Sequence, residues 1–200
     1  NTSRSVEQLR ARFKFLFGSA QEGAKAFDNL TTFAAKVPFS LEEIAGASGS
    51  LAVVAKDAED LNRVLEITGN VAAVTGLDFR TTAEQIQRSF AGGIGAADLF
   101  RERGVRALLG FEAGAKVSIE ETVAAFERDF SGDGRFGKAT LSLAQTFDGT
   151  LSMLGDKFFK FKLAVMDSEP FDFLKVAFSQ IDTFIEKNFN SIEEFAMVVG

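Results

Sequence analysis

Residues 24–44 read AKAFDNLTTFAAKVPFSLEEI. Pro38 disfavours helical backbone at Val37, the residue before it. A helix through Ala24–Lys36 is therefore expected to end there. Ser40 then opens a second helix. Its hydroxyl can accept a hydrogen bond from an orphan backbone N–H, and Glu43, three residues on, can reach back to the cap. Helix, short break, capped helix is the unit from which the rest of the chain is read.

The same serine or threonine followed by an acid or amide recurs at Ser5-x-x-Gln8, Thr81-x-x-Glu84, Ser118-x-x-Glu121 and Ser191-x-x-Glu194. Between these starts lie alanine-rich segments with apolar residues at helical spacing. Leu61, Val64, Leu65 and Thr68 form one face; Ile86, Ser89 and Phe90 form a shorter one. Gly92-Gly93-Ile94-Gly95 and Ser131-Gly132-Asp133-Gly134 are flexible breaks, the second a candidate border between subdomains. One stretch stays open. Phe13, Phe15 and Phe17 alternate as in a short strand, while Leu9, Phe13 and Phe17 fall at i, i+4, i+8 as in a helix. The expected fold is mostly α: a compact multi-helix module with glycine-rich breaks and either a strand or a helix at Phe13–Phe17. The organisation expected is a basic segment over 1–19, a helical domain over 20–165 and amphipathic helices over 166–200.

Composition narrows the chemistry. The 200 residues are 46% hydrophobic and 25% charged, ordinary globular values. A chain of this length folded as one unit buries about 70% of its unfolded surface. Cysteine is absent, which excludes disulfides, thiol catalysis and thiolate metal sites. Histidine is absent too, which removes the usual general base and the commonest metal ligand. Phenylalanine reaches 23 while tyrosine and tryptophan are missing. This leans away from an enzyme and toward a packing or assembly protein.

The net charge of −6 is unevenly spread. Residues 1–14 carry Arg4, Arg10, Arg12 and Lys14 against Glu7, a net +3. Residues 167–200 carry seven carboxylates against Lys175 and Lys187, a net −5. Opposite-sign ends can steer head-to-tail association. No basic stripe marks sequence-specific nucleic-acid binding. No stretch of 18 apolar residues spans a membrane, and no apolar run after the basic start reads as a signal peptide. A start at Asn1 and an abrupt end at Gly200 suggest a fragment of a longer chain.

Three motifs imitate sites. Asp129, Ser131 and Asp133 with Gly134 match the opening of a calcium loop, but position twelve is Thr140 instead of a bidentate glutamate. A plain glycine-rich turn is expected. Gly93-x-Gly95 has two glycines of a dinucleotide fingerprint, with Asp98 where the third belongs; a loop ahead of a helix capped near Ala97-Asp98 is expected. The acid pairs Glu42-Glu43, Glu120-Glu121 and Glu193-Glu194 read as first-turn charges facing helix dipoles, not as catalytic carboxylates. No catalytic residue, cofactor or metal is expected.

The C-terminal segment carries the clearest pattern. Phe171, Leu174, Phe178, Ile181, Ile185, Asn188, Ile192, Phe195 and Val199 are spaced alternately three and four apart, a heptad seam with one polar member. The seam suits self-association. It also suits packing within the chain, because Phe173 and Phe184 widen the apolar face and Ser191 reads as a fresh helix start. Phe158, Phe159 and Phe161 beside Lys157, Lys160 and Lys162 suit a core with solvated lysines or a membrane surface.

The stretch from Ala24 to Ile44 resembles the opening of the tape measure domain of tailed-phage tail tape measure proteins. The likeness continues through EITGNVAAVTGLDF (66–79), AEQIQRSFAGGIGAADLFRERGVRALLGF (83–111), VSIEETVAAFERDF (117–130) and TFDGTLSMLGDKFFKF (146–161). It runs collinearly over roughly residues 20–165. The resemblance implies a non-enzymatic structural protein of the virion, in the tail lumen or tail tip, made in the host cytoplasm. It implies roles in tail assembly, tail-length determination and genome ejection. The implied partners are other copies of the tape measure protein, tail tube or tail tip proteins and, during ejection, the host inner membrane. The alternative is a membrane-active ejection or pore-forming helical segment. Fully helical, 200 residues reach at most about 300 Å. The chain is therefore expected to be a folded module carried by the ruler and not the ruler itself.

Overall fold

The computed structural model describes residues 2–146. Its elements are α1 (Thr2–Phe17), α2 (Ala20–Ala34), α3 (Leu41–Val54), α4 (Ala58–Thr75), α5 (Phe79–Gly92), a 3₁₀ turn (Ile94–Ala96), α6 (Asp98–Glu102), α7 (Val105–Leu108), α8 (Ile119–Phe130) and α9 (Ala139–Ala144). No strand occurs among the described residues, so the all-helical expectation holds. The seam from Phe171 to Val199, the Ser191 start, the Glu193-Glu194 pair and the lysine-phenylalanine mixture at 157–162 lie outside the described residues.

Phe13–Phe17 belongs to a helix. Leu9 and Phe13 are buried and Phe17 packs against the core, whereas Phe15 is 83% exposed. The i, i+4, i+8 spacing prevailed because α2 offers a face for one helical stripe. That contact is close: a Cβ on Gly23 would stand 2.8 Å from the backbone nitrogen of Lys14.

Helix starts follow local hydrogen bonding, with corrections. Ser118 and Glu121 form a full capping box. Ser40 accepts from the Glu43 N–H, but the Glu43 carboxylate accepts from the Phe79 N–H of α5 instead of returning to its cap. Thr81 is not a cap: Asp78 takes that place and accepts from the Thr81 N–H and hydroxyl. Ser5 lies within α1 and not at its start. Ser19 and Asp57 cap α2 and α4. The helix before Pro38 runs Ala20–Ala34, starting earlier than Ala24 and stopping before Lys36.

Helix α4 is the centre. It touches α2, α3, α5, α8 and α9. Leu61, Val64, Leu65, Ile67, Thr68 and Val71 are fully enclosed, while Glu59 and Asn62 keep an exposed edge on the same helix. Phenylalanines join the layers around it. Phe126 of α8 meets Phe90, Phe100 and Phe130 at ring separations of 5.7–5.9 Å, and Phe79 meets Phe33 and Phe39 at 6.1 and 5.2 Å. These tilted contacts are the geometry ring quadrupoles favour. Arg63 of α4 bonds Asp60 and pairs with Glu127 of α8, tying the two helices at their rim.

Candidate functional site

The one deeply buried amide of α4 lies beside a concavity between α2, α4 and α9. Asn70 is 2% exposed, on the buried face of α4. Its Nδ2 donates to the carbonyls of Phe130 and Gly137 at 2.8 and 3.0 Å. Its Oδ1 accepts from the Thr140 N–H and hydroxyl at 2.9 and 2.8 Å. Both donors and both lone pairs of the amide are thereby used. Glu66, one turn earlier, accepts from the Gly132 N–H at 2.9 Å. The loop after α8 and the start of α9 are thus fastened to α4, and Gly132 does not swing free between subdomains.

Beside this knot lies a cleft of about 260 Å³ between α2, α4 and α9. Asn29 and Thr32 line it from α2, Lys36 from the turn after α2, Asn62 and Glu66 from α4, and Thr140 and Leu141 from α9. Phe33 forms apolar wall, and Asn29 already donates to the Ala58 carbonyl. The cleft presents amides, hydroxyls, one cation and one carboxylate. Such a lining can hold a polar chain segment or small polar molecule by hydrogen bonds. The groups with displaced pKa values lie elsewhere. Burial pushes Asp60 up, but the Arg63 guanidinium and the Lys56 N–H outweigh it and hold its carboxyl below the usual range. Asp98 is also lowered, by the Gln85 amide first and Arg88 last. Arg128 is raised by its hydrogen bond to Asp129.

The motifs that imitate sites are occupied by their own structure. In the calcium-like loop, Asp129 bonds Arg128 at 2.6 Å, Asp133 faces Lys138 from full exposure, and the Thr140 hydroxyl belongs to Asn70. No group of three or more potential metal-binding side chains occurs among the described residues. In the Gly93-x-Gly95 loop, the Ile94 N–H donates to Thr122 and the Leu99 N–H to Gln85. Gly93 itself has φ +82°, and a Cβ there would stand 3.2 Å from the Val117 carbonyl. The positive φ and the neighbouring carbonyl favour glycine here, and α6 begins at Asp98 but without the expected side-chain cap. Glu42-Glu43 and Glu120-Glu121 occupy first turns. Asn70 belongs to none of these site-like motifs; its mark in the sequence is a polar amide in the stretch Ile67–Val74.

A scan against protein-family models, a search of curated proteins and a search of solved structures found no match.

Proposed function

We propose that this chain is a structural module of a phage tail tape measure protein, acting in tail assembly, tail-length determination and genome ejection through protein–protein contacts and without catalysis. The observation that carries this reading is the collinear series of resemblances from residue 20 to 165. The helical architecture agrees with it. The longest described helix, α4, has 18 residues and spans about 27 Å, so the described part is a folded body and not a rod. Its partners are other copies of the tape measure protein and tail tube or tail tip proteins.

The decisive experiment is immunogold labelling of intact and disrupted tailed virions with antibodies raised against the recombinant chain. Label confined to tails supports the proposal; tails without label, with the antigen found only outside virions, overturn it. The membrane-active alternative has one feature in its favour, the exposed Phe15 and Leu16 among Arg12 and Lys14. No described helix is long and apolar enough to cross a membrane. Dye release from liposomes at low protein concentration would favour that alternative over a purely assembling module.

A further inference from the structure

Helix α1 buries one stripe and leaves the opposite one uncovered. Arg4, Gln8, Ala11 and Phe15 are exposed and spaced four, three and four apart, with Lys14 and the single acid Glu7 beside them and Arg12 at the margin. That is two heptads of a second seam, pointing away from α2. Phe15, at its centre line, is the most exposed of the large apolar side chains among the described residues. Arg4, Arg12 and Lys14 have no carboxylate partner among the described residues. A basic helix face with an uncovered aromatic ring fits an apolar strip flanked by acids.

We propose that this face of α1 is the docking surface for the acidic segment 167–200 of the same chain. Three observations select that occupant. The first is charge: residues 1–14 are net +3 and residues 167–200 net −5. The second is pattern: the segment carries the three-four seam from Phe171 to Val199, flanked by Asp172, Asp182, Glu186 and Glu193. The 16-residue α1 is about 24 Å long and would cover about half of it. The third is reach. Twenty residues separate Thr146 from Asp167, an extended span of up to about 66 Å. A domain of this size is about 40 Å across, so the tether reaches any point of its surface. A short tether also supplies an effective concentration in the millimolar range, which favours the chain's own segment over a second copy. The contact places Phe15 on the seam and sets the basic margin against its acids. Because its steering charges lie at the surface, salt weakens it.

The absence of cysteine makes the test direct. Gln8→Cys and Thr183→Cys are introduced into the full chain, spin-labelled, and diluted with excess unlabelled protein. A separation below roughly 30 Å is expected, the distance of packed helices plus label arms and register offset. Phe15→Glu with Lys14→Glu should abolish it while leaving the melting curve of the helical body in place, since both side chains are exposed. Adding Asp182→Lys and Glu186→Lys should restore part of the short-distance signal. A broad distribution indifferent to these variants overturns the proposal. So does a short distance that vanishes on dilution with unlabelled chain, which would place the contact between copies. Loss of the short distance with co-sedimentation on phosphatidylglycerol–phosphatidylcholine vesicles overturns it in favour of a lipid surface.

Discussion

Asn70 shows what one buried amide does on the enclosed face of a helix. Its four hydrogen bonds hold two backbone carbonyls and both donors of Thr140. Asn70→Ala would leave these groups buried without partners and should cost roughly 2–4 kcal/mol, seen as a lower urea midpoint with an unchanged slope. Thr140→Val should cost less, and the two should be non-additive, because they break one network. Asp78 gives a prediction in pH. The N–H and hydroxyl of Thr81 hold its carboxyl below the usual range against a smaller upward push from burial. A folded value below the unfolded one, about 3.9, adds stability that is complete above that pH and lost as pH falls through the folded value. Asp78→Asn keeps a capping oxygen, so stability at pH 7 should change by less than about 1 kcal/mol. Denaturation at pH 7 and pH 3 should show a smaller acid-side loss in the variant.

At the scale of elements, helix starts separate local from non-local causes. Ser118→Ala removes a complete capping box and should lower stability by about 1 kcal/mol in thermal or urea denaturation. That start was legible in the sequence, since both partners lie within four residues. Thr81-x-x-Glu84 matches the same pattern, yet Asp78 caps the helix, because its carboxylate can accept from both the Thr81 N–H and hydroxyl. Ser40-x-x-Glu43 was legible as a start but not as a box, because α5 brings the Phe79 N–H to the Glu43 carboxylate. The α1–α2 pair tests packing. Gly23→Ala would drive a Cβ toward the Lys14 backbone, which cannot rotate away as a side chain would. A loss of about 1–3 kcal/mol in urea denaturation is expected, with the change centred on α1 in hydrogen exchange.

For the whole molecule, the all-helical class follows from patterns that any stretch carries by itself. Ser118-x-x-Glu121, the face Leu61-Val64-Leu65-Thr68 and the break at Pro38 each act within a turn or two of helix. The reading of residues 131–134 as a glycine-rich turn was equally local, and Thr140 stands where a calcium loop needs a carboxylate. Millimolar calcium should therefore leave the melting temperature unchanged, the more so because Asp129 and Thr140 already have partners. Sequence alone thus determined the helical class and most of the breaks, because backbone capping and side-chain periodicity depend on neighbours along the chain. Tertiary structure alone decided that Phe13–Phe17 is helical with Phe15 turned outward, that α4 is the enclosed centre, and that Asn70 fastens α9 beside a polar cleft. The physical reason is separation. Asn70 and Thr140 are 70 residues apart and Glu43 and Phe79 are 36 apart, and a hydrogen bond or a buried face is settled only when folding brings such groups within about 3 Å.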